Sequence, residues 1–167
     1  LLVLGRAMVD GRLWLRLRLP SRPNNSQAWV PANRVRLIRN PWRVRISLSR
    51  RRVTVFRAAR KVLSFRAVVG TDETPTPKGL FAIYERVRQP DASGFLGPFA
   101  LHLTAHSNVL DNYGGGPGRV AIHGRGGDSL LDPLGSAASH GCVRVGNGRI
   151  VAMARKLPVG TPVRIMK

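Results

Sequence analysis

The single cysteine of this chain sits in Ser139-His140-Gly141-Cys142, and fifteen residues separate Ser139 from His123 of an earlier Ile122-His123-Gly124. A thiol becomes a nucleophile when a base removes its proton and the resulting charge is stabilised, and an imidazole within hydrogen-bond reach does both. His123 comes from a separate segment, as the partner of a catalytic cysteine commonly does, and is read as the base; His140 stands beside the site in support. Gly141 and Gly124 each flank a reactive residue, permit unusual backbone angles and let a substrate approach main-chain N–H groups. The N–H groups of Gly141 and Cys142 are the expected oxyanion donors, with Ser139 at the same edge. Arg144 has the planar fork that grips a carboxylate. Tyr113, in the Gly-rich stretch before His123, is the second expected substrate contact.

Two rival chemistries are weaker. His102-x-x-x-His106 has the spacing of a helical zinc pair, but Leu101 and Leu103 alternate around His102 and predict a strand, where residues four apart stand ~13 Å from one another. No metal site is therefore expected. The net charge of +20, from 28 basic and 8 acidic residues in a chain of 167, favours an anionic partner surface. Aromatic residues make up only 6%, and no basic helix, zinc finger or phosphate loop is present, so nucleic acid is not the expected partner. An apolar content of 43% is enough for a folded core, which excludes a solvated polyelectrolyte.

The elements that must position these residues read as mainly β. Residues 12–19 alternate strictly, with Leu13, Leu15, Leu17 and Leu19 on one face. Short strands are predicted at 27–31 and 34–38, closing a small module near residue 40. A second series follows at 43–48, 53–56 and 62–69. Pro75 and Pro77 exclude a central strand from 71–79 and make it a loop. Strands resume at 79–87, 99–103 and 119–123, and the last ends at the histidine. Ile150, Met153, Ala154 and Leu157 recur at helical spacing over 148–157, with Asn147 as the expected N-cap. A terminal strand is predicted at 163–165. No apolar run approaches the ~18 residues of a membrane span.

The run Ile122-His123-Gly124, followed by Ser139-His140-Gly141-Cys142-Val143-Arg144, resembles the signature of the L,D-transpeptidase catalytic domain, the YkuD-like family of bacterial cell-wall enzymes. Thr74-Pro75-Thr76-Pro77-Lys78-Gly79 looks like the segment that precedes a core strand in that family. The resemblance implies a mainly β, sandwich-like catalytic domain over residues 41–167 with one or two short helices. Residues 1–40, with Ala28-Trp29-Val30-Pro31-Ala32, resemble part of an SH3-like β module.

It further implies Cys142 as acyl-accepting nucleophile and His123 as proton acceptor and donor, with Ser139, His140, Gly141 and Gly124 lining the site and Arg144 in the family's arginine position. The implied reaction cross-links diamino acid residues of peptidoglycan stem peptides through a thioester, releasing D-alanine without metal or organic cofactor. Carbapenem inhibition and an exported monomer whose leader or anchor lies outside this sequence are implied as well. The alternatives are a carboxypeptidase-type thiol hydrolase of the same stems and a non-catalytic basic module binding anionic wall polymer.

Overall fold

The computed structural model describes residues 1–112 and 116–167. Among the described residues, thirteen strands and one α-helix make a mainly β fold. The first three strands, β1 (Val3–Val9), β2 (Arg12–Arg18) and β3 (Gln27–Pro31), form their own antiparallel sheet. The predicted alternation in β2 is realised: Leu15 and Leu17 are buried, while Leu13 at the strand's outer end stays exposed. A strand predicted at 34–38 is not formed. Ala32–Arg34 instead makes a 3₁₀ turn, and Val35, Leu37 and Ile38 are exposed. Local alternation there has no neighbouring strand to pair with and no face to bury.

A larger sheet contains eight strands: β4 (Trp42–Ser47), β5 (Arg52–Arg57), β6 (Arg60–Arg66), β8 (Gly79–Arg88), β9 (Phe99–His106), β10 (Arg119–His123), β12 (Val143–Arg144) and β13 (Pro162–Met166). Two short strands, β7 (Val69–Gly70) and β11 (Ala137–Ser139), pair in parallel beside it. The order across the large sheet is β12-β10-β9-β8-β13-β4-β5-β6. Pairing is antiparallel except at β10–β12 and β4–β13. These parallel pairs need long connections, and the longer one, between β4 and β13, encloses most of the domain.

The helix α1 (Asn147–Lys156) packs on β9 and buries Ile150, Met153 and Ala154, the periodic residues of the sequence. They join Phe81, Ile83, Leu101, Leu103, Val120, Ile122, Val143 and Val163 in one core. Because strand residues alternate between faces, fixing these side chains in the core turns Ala100, His102, Ala121, His123, Cys142 and Arg144 to the opposite face. His102 and His106 both lie on extended β9, as the flanking leucines predict. The cap of α1 differs from the expectation: Gly146 is the N-cap, without a side-chain cap bond, and Asn147 is the first helical residue. Among the described residues no helix is long and apolar enough to cross a membrane.

The small sheet touches the large one through the β2–β3 loop. Asn24 donates to the carbonyl of His106 (2.7 Å) and accepts from its N–H (2.9 Å). Arg22 donates to the carbonyls of Ser107 (2.7 Å), Leu110 (2.8 Å) and Pro117 (3.3 Å).

Candidate active site

A cavity of about 450 Å³ opens on the polar face of β8, β9, β10 and β12, lined in part by His102, Ala121, His123, His140, Cys142 and Arg144. The β10–β12 register pairs Ile122 with Val143 and His123 with Arg144. Cys142 therefore lies across from Ala121, whose N–H donates to Sγ at 3.4 Å. His123 is the diagonal neighbour on the same face, about 8 Å away between Cα atoms from strand spacing and rise. Both side chains line one cavity across that gap, so the structure sets thiol and imidazole on the same wall.

The cysteine is presented by a tight turn whose shape is fixed from inside. Gly141 has φ of +108°, a conformation that side-chain-bearing residues rarely adopt. Buried Ser139 donates through Oγ to the carbonyl of Cys142 (2.5 Å) and accepts from the Gly141 N–H (3.2 Å). The expectation that Gly141 supplies an oxyanion donor is corrected by that bond, because its hydrogen is already engaged by Ser139. Among the described residues no loop or turn hydrogen bond engages the Cys142 N–H, which is the remaining candidate donor at this turn. The Thr-Pro loop braces the turn from behind, with Thr74 Oγ1 and Thr71 N–H both donating to the Ser139 carbonyl at 3.1 Å.

His123 is 1% exposed, and its Nδ1 lies 2.8 Å from the Gly124 carbonyl. A carbonyl only accepts, so Nδ1 carries the proton and Nε2 is the basic nitrogen. Burial is the largest influence on the ring and pulls its pKa down to about 4, opposed by the Gly124 carbonyl and reinforced by the Arg144 charge. The sulfur moves the other way. Cys142 as a whole residue is half-buried, but desolvation of its thiol dominates and raises the pKa above the ordinary value, against the Ala121 N–H and Arg144. The Phe95 ring closes the wall beside His123, centroids 6.2 Å apart.

Arg144 lines the cavity, but its fork, expected to grip a substrate carboxylate, is engaged within the protein. It is 3% exposed, its Nη1 is held by Asp132, and its guanidinium stacks on Phe95 at 4.9 Å. Its charge is thus partly matched within the protein, which suits it to supporting the wall more than to gripping a carboxylate. His140 is exposed at the rim. Tyr113 lies outside the described residues.

Sequence reading missed the role of Asn147. Its side chain accepts from the Arg125 N–H (2.7 Å) and donates to the Arg125 carbonyl (2.8 Å), tying the start of α1 to the segment that leaves His123. A Cβ at Gly124 would stand 2.5 Å from Asn147 Oδ1, so glycine is required there by close approach. The available signal was an asparagine five residues beyond the cysteine, which a helix-cap reading absorbed.

The family profile of the YkuD L,D-transpeptidase catalytic domain matches residues 41–165. The chain belongs to that family. A Bacillus licheniformis protein named as a candidate L,D-transpeptidase YkuD is 33% identical over 125 residues, which are 75% of this chain and 66% of that protein. Its Bacillus subtilis counterpart is 30% identical over the same shares. The match thus spans just under two thirds of the length of these relatives. Among solved structures, L,D-transpeptidase 3 from Mycobacterium tuberculosis superposes with a TM-score of 0.61 at 14% identity, covering 99% of both chains. An L,D-transpeptidase in complex with imipenem superposes at 0.58 and 15% identity, covering 93% of this chain and 68% of that one. At those identities the likeness establishes the fold, a mainly β L,D-transpeptidase architecture.

Proposed function

We propose that this chain is a cysteine-dependent peptidoglycan L,D-transpeptidase with Cys142 as nucleophile and His123 as general base and acid. The observation that carries the reading is the placement of both side chains on one sheet face, in one cavity, with Nδ1 of His123 engaged by a carbonyl so that Nε2 is basic. Membership of the family supports it.

On these residues the reaction runs in two halves. Nε2 takes the thiol proton as Sγ attacks the carbonyl joining the diamino acid of a stem peptide to D-alanine. Negative charge collects on the carbonyl oxygen, where the Cys142 N–H donates. The C–N bond then breaks, D-alanine leaves with the proton from His123, and a thioester remains on Cys142. An amine from a second stem gives its proton to His123, attacks the thioester and restores the thiol, leaving an amide cross-link. Water in place of the amine gives the carboxypeptidase outcome. No step needs a metal or organic cofactor.

His140 at the rim and Arg144 behind Phe95 shape the entrance. The excess positive charge suits an exported protein working against anionic wall polymer, as a monomer, with residues 1–40 as a wall-facing β module. The imipenem-bound structural neighbour makes a carbapenem the probe of choice. Intact-protein mass spectrometry after carbapenem treatment should show one adduct on the wild-type protein and none on Cys142→Ala, and that variant should release no D-alanine from stem tetrapeptides. Turnover retained by Cys142→Ala would refute the assignment.

A further inference from the structure

Part of the catalytic cavity is walled by a connection, not a strand. Gly116 and Pro117, between β9 and β10, line it on the same side as Arg119. The described flanks of that connection are residues 107–112 and 116–118. They meet where the Ser107 N–H donates to the Gly118 carbonyl (2.8 Å), and the Gly118 N–H donates to the Gly116 carbonyl (2.8 Å). Ser107 Oγ accepts from the N–H groups of Val109 (3.3 Å) and Leu110 (3.0 Å). No residue of either described flank joins the hydrophobic core, so the place of this wall rests on polar contacts.

Three carbonyls of these flanks converge on one side chain that comes from the other sheet. Arg22, in the β2–β3 loop, donates through Nη1 to Ser107 and through Nη2 to Leu110 and Pro117, and so bridges the two flanks. The fit is close: Gly118 has φ of +61°, and a Cβ there would stand 2.9 Å from Arg22 Nη2. The Asp111 carboxylate lies 3.5 Å from Nη1, but it is 98% exposed and adds little beside the carbonyl bonds. A guanidinium offers several donors in a rigid planar fork, which suits carbonyls arriving from different directions. The loop that carries Arg22 is itself held. Leu19 N–H donates to the Ser26 carbonyl (3.0 Å), the Ser26 N–H (3.2 Å) and Oγ (2.7 Å) both donate to the Pro23 carbonyl, and Asn24 is bonded to both backbone groups of His106.

Resting on the transpeptidase reading, we propose that Arg22 is a positioning residue for the reaction: from the small sheet it fixes the wall formed by Gly116 and Pro117, and with it the width of the cavity in which the stem peptide meets Cys142. Arg22 lies outside the cavity lining and acts through Pro117. The small sheet is then part of the catalytic unit, because it supplies the side chain that sets one boundary of the substrate's room.

The test compares Arg22→Gln, Arg22→Lys and Asn24→Ala in the full chain. Asn24→Ala removes the other tie between the sheets and leaves Leu110 and Pro117 untouched, so it reports what weakened docking does by itself. Arg22→Gln should lower kcat/KM for D-alanine release from a stem tetrapeptide about tenfold, chiefly through KM, because the wall bounds the substrate and carries no proton. Arg22→Lys should recover part of that loss, and Asn24→Ala should leave KM unchanged. Iodoacetamide is small enough to reach Cys142 without the wall, so it should alkylate Arg22→Gln at least as fast as the wild-type protein; slower alkylation would mean a collapsed site and count against a positioning role. Amide exchange at Gly118, followed by NMR, should quicken in Arg22→Gln and not in Asn24→Ala. An unaltered KM in Arg22→Gln, an equal rise in Asn24→Ala, no recovery in Arg22→Lys or unaltered exchange at Gly118 overturns the inference. The transpeptidase reading fails separately, by absence of D-alanine release and of a carbapenem adduct on the wild-type protein, and the exchange measurement does not depend on it.

Discussion

At Cys142 and His123 the protein pushes both reacting groups toward neutrality. The thiol is raised by burial and the imidazole is lowered by it to about 4, so a thiol and a neutral ring are the resting pair at neutral pH. A preformed thiolate–imidazolium pair requires the reverse order of acidities. On the proposed mechanism the proton therefore moves as attack proceeds, with His123 as base in the transition state. Alkylation of Cys142 by iodoacetamide should be slower at pH 7 than that of a cysteine in an unstructured peptide, and its rate should still be climbing at pH 9. A plateau from pH 6 to 8 would show a standing ion pair and contradict this account. The residues proposed as nucleophile and base were legible in the sequence from residue type and flanking glycines. The partners of Arg144 were not, because Asp132 and Phe95 reach it from segments that no spacing rule connects to it.

The elements hold the pair in place mainly at their ends. Asn147, the first residue of α1, clamps Arg125 with two hydrogen bonds just after β10. Asn147→Ala should cost about 2 kcal/mol at roughly 1 kcal/mol per bond, read from urea denaturation, and should lower D-alanine release more than it lowers stability of the remaining core. Asn147→Asp keeps the acceptor and loses the donor, so it should fall between; an alanine variant with unaltered turnover would remove the clamp from the account.

The long elements could be read in advance because each has a face to bury: β2 and α1 carry the predicted periodicity, and β4, β5 and β10 form where strands are predicted. The short strands β7, β11 and β12 could not, since two or three residues have no period. Their strand character comes from the ladder, as where Val68 and Arg144 exchange backbone bonds at 2.9 Å. Residues 34–38 show the converse, with an alternating pattern and no partner.

For the whole molecule, burial of histidine links folding to pH. His102, His106 and His123 are all lowered, desolvation being the first cause in each. A group with a depressed folded pKa is neutral in both states at pH 7, and below about 6.5 the unfolded chain takes up the proton first. Stability is therefore lost as pH falls through the window from about 6.5 to about 4. For His123 alone the loss is about 3 kcal/mol by pH 4. Thermal denaturation at pH 7 and pH 4 should show the wild-type protein losing more stability than His123→Gln by roughly that amount. The same pH dependence in both would mean that the ring is not buried neutral. The +20 charge acts in the same direction in acid, because protonating eight carboxylates leaves 28 basic groups with fewer counter-charges.

The sequence by itself determined the β class, the single helix and the core faces, and it singled out the proposed Cys142–His123 pair, since these depend on periodicity and on residue types that few structural roles explain. Only the tertiary structure decided that Ser139 occupies the Gly141 N–H, that Asp132 holds Arg144, that Asn147 clamps the end of β10, and that Arg22 bridges the flanks of the β9–β10 connection. Most of these are contacts between segments distant along the chain. None leaves a local pattern, because the partner is chosen by how the sheets and loops close around the core.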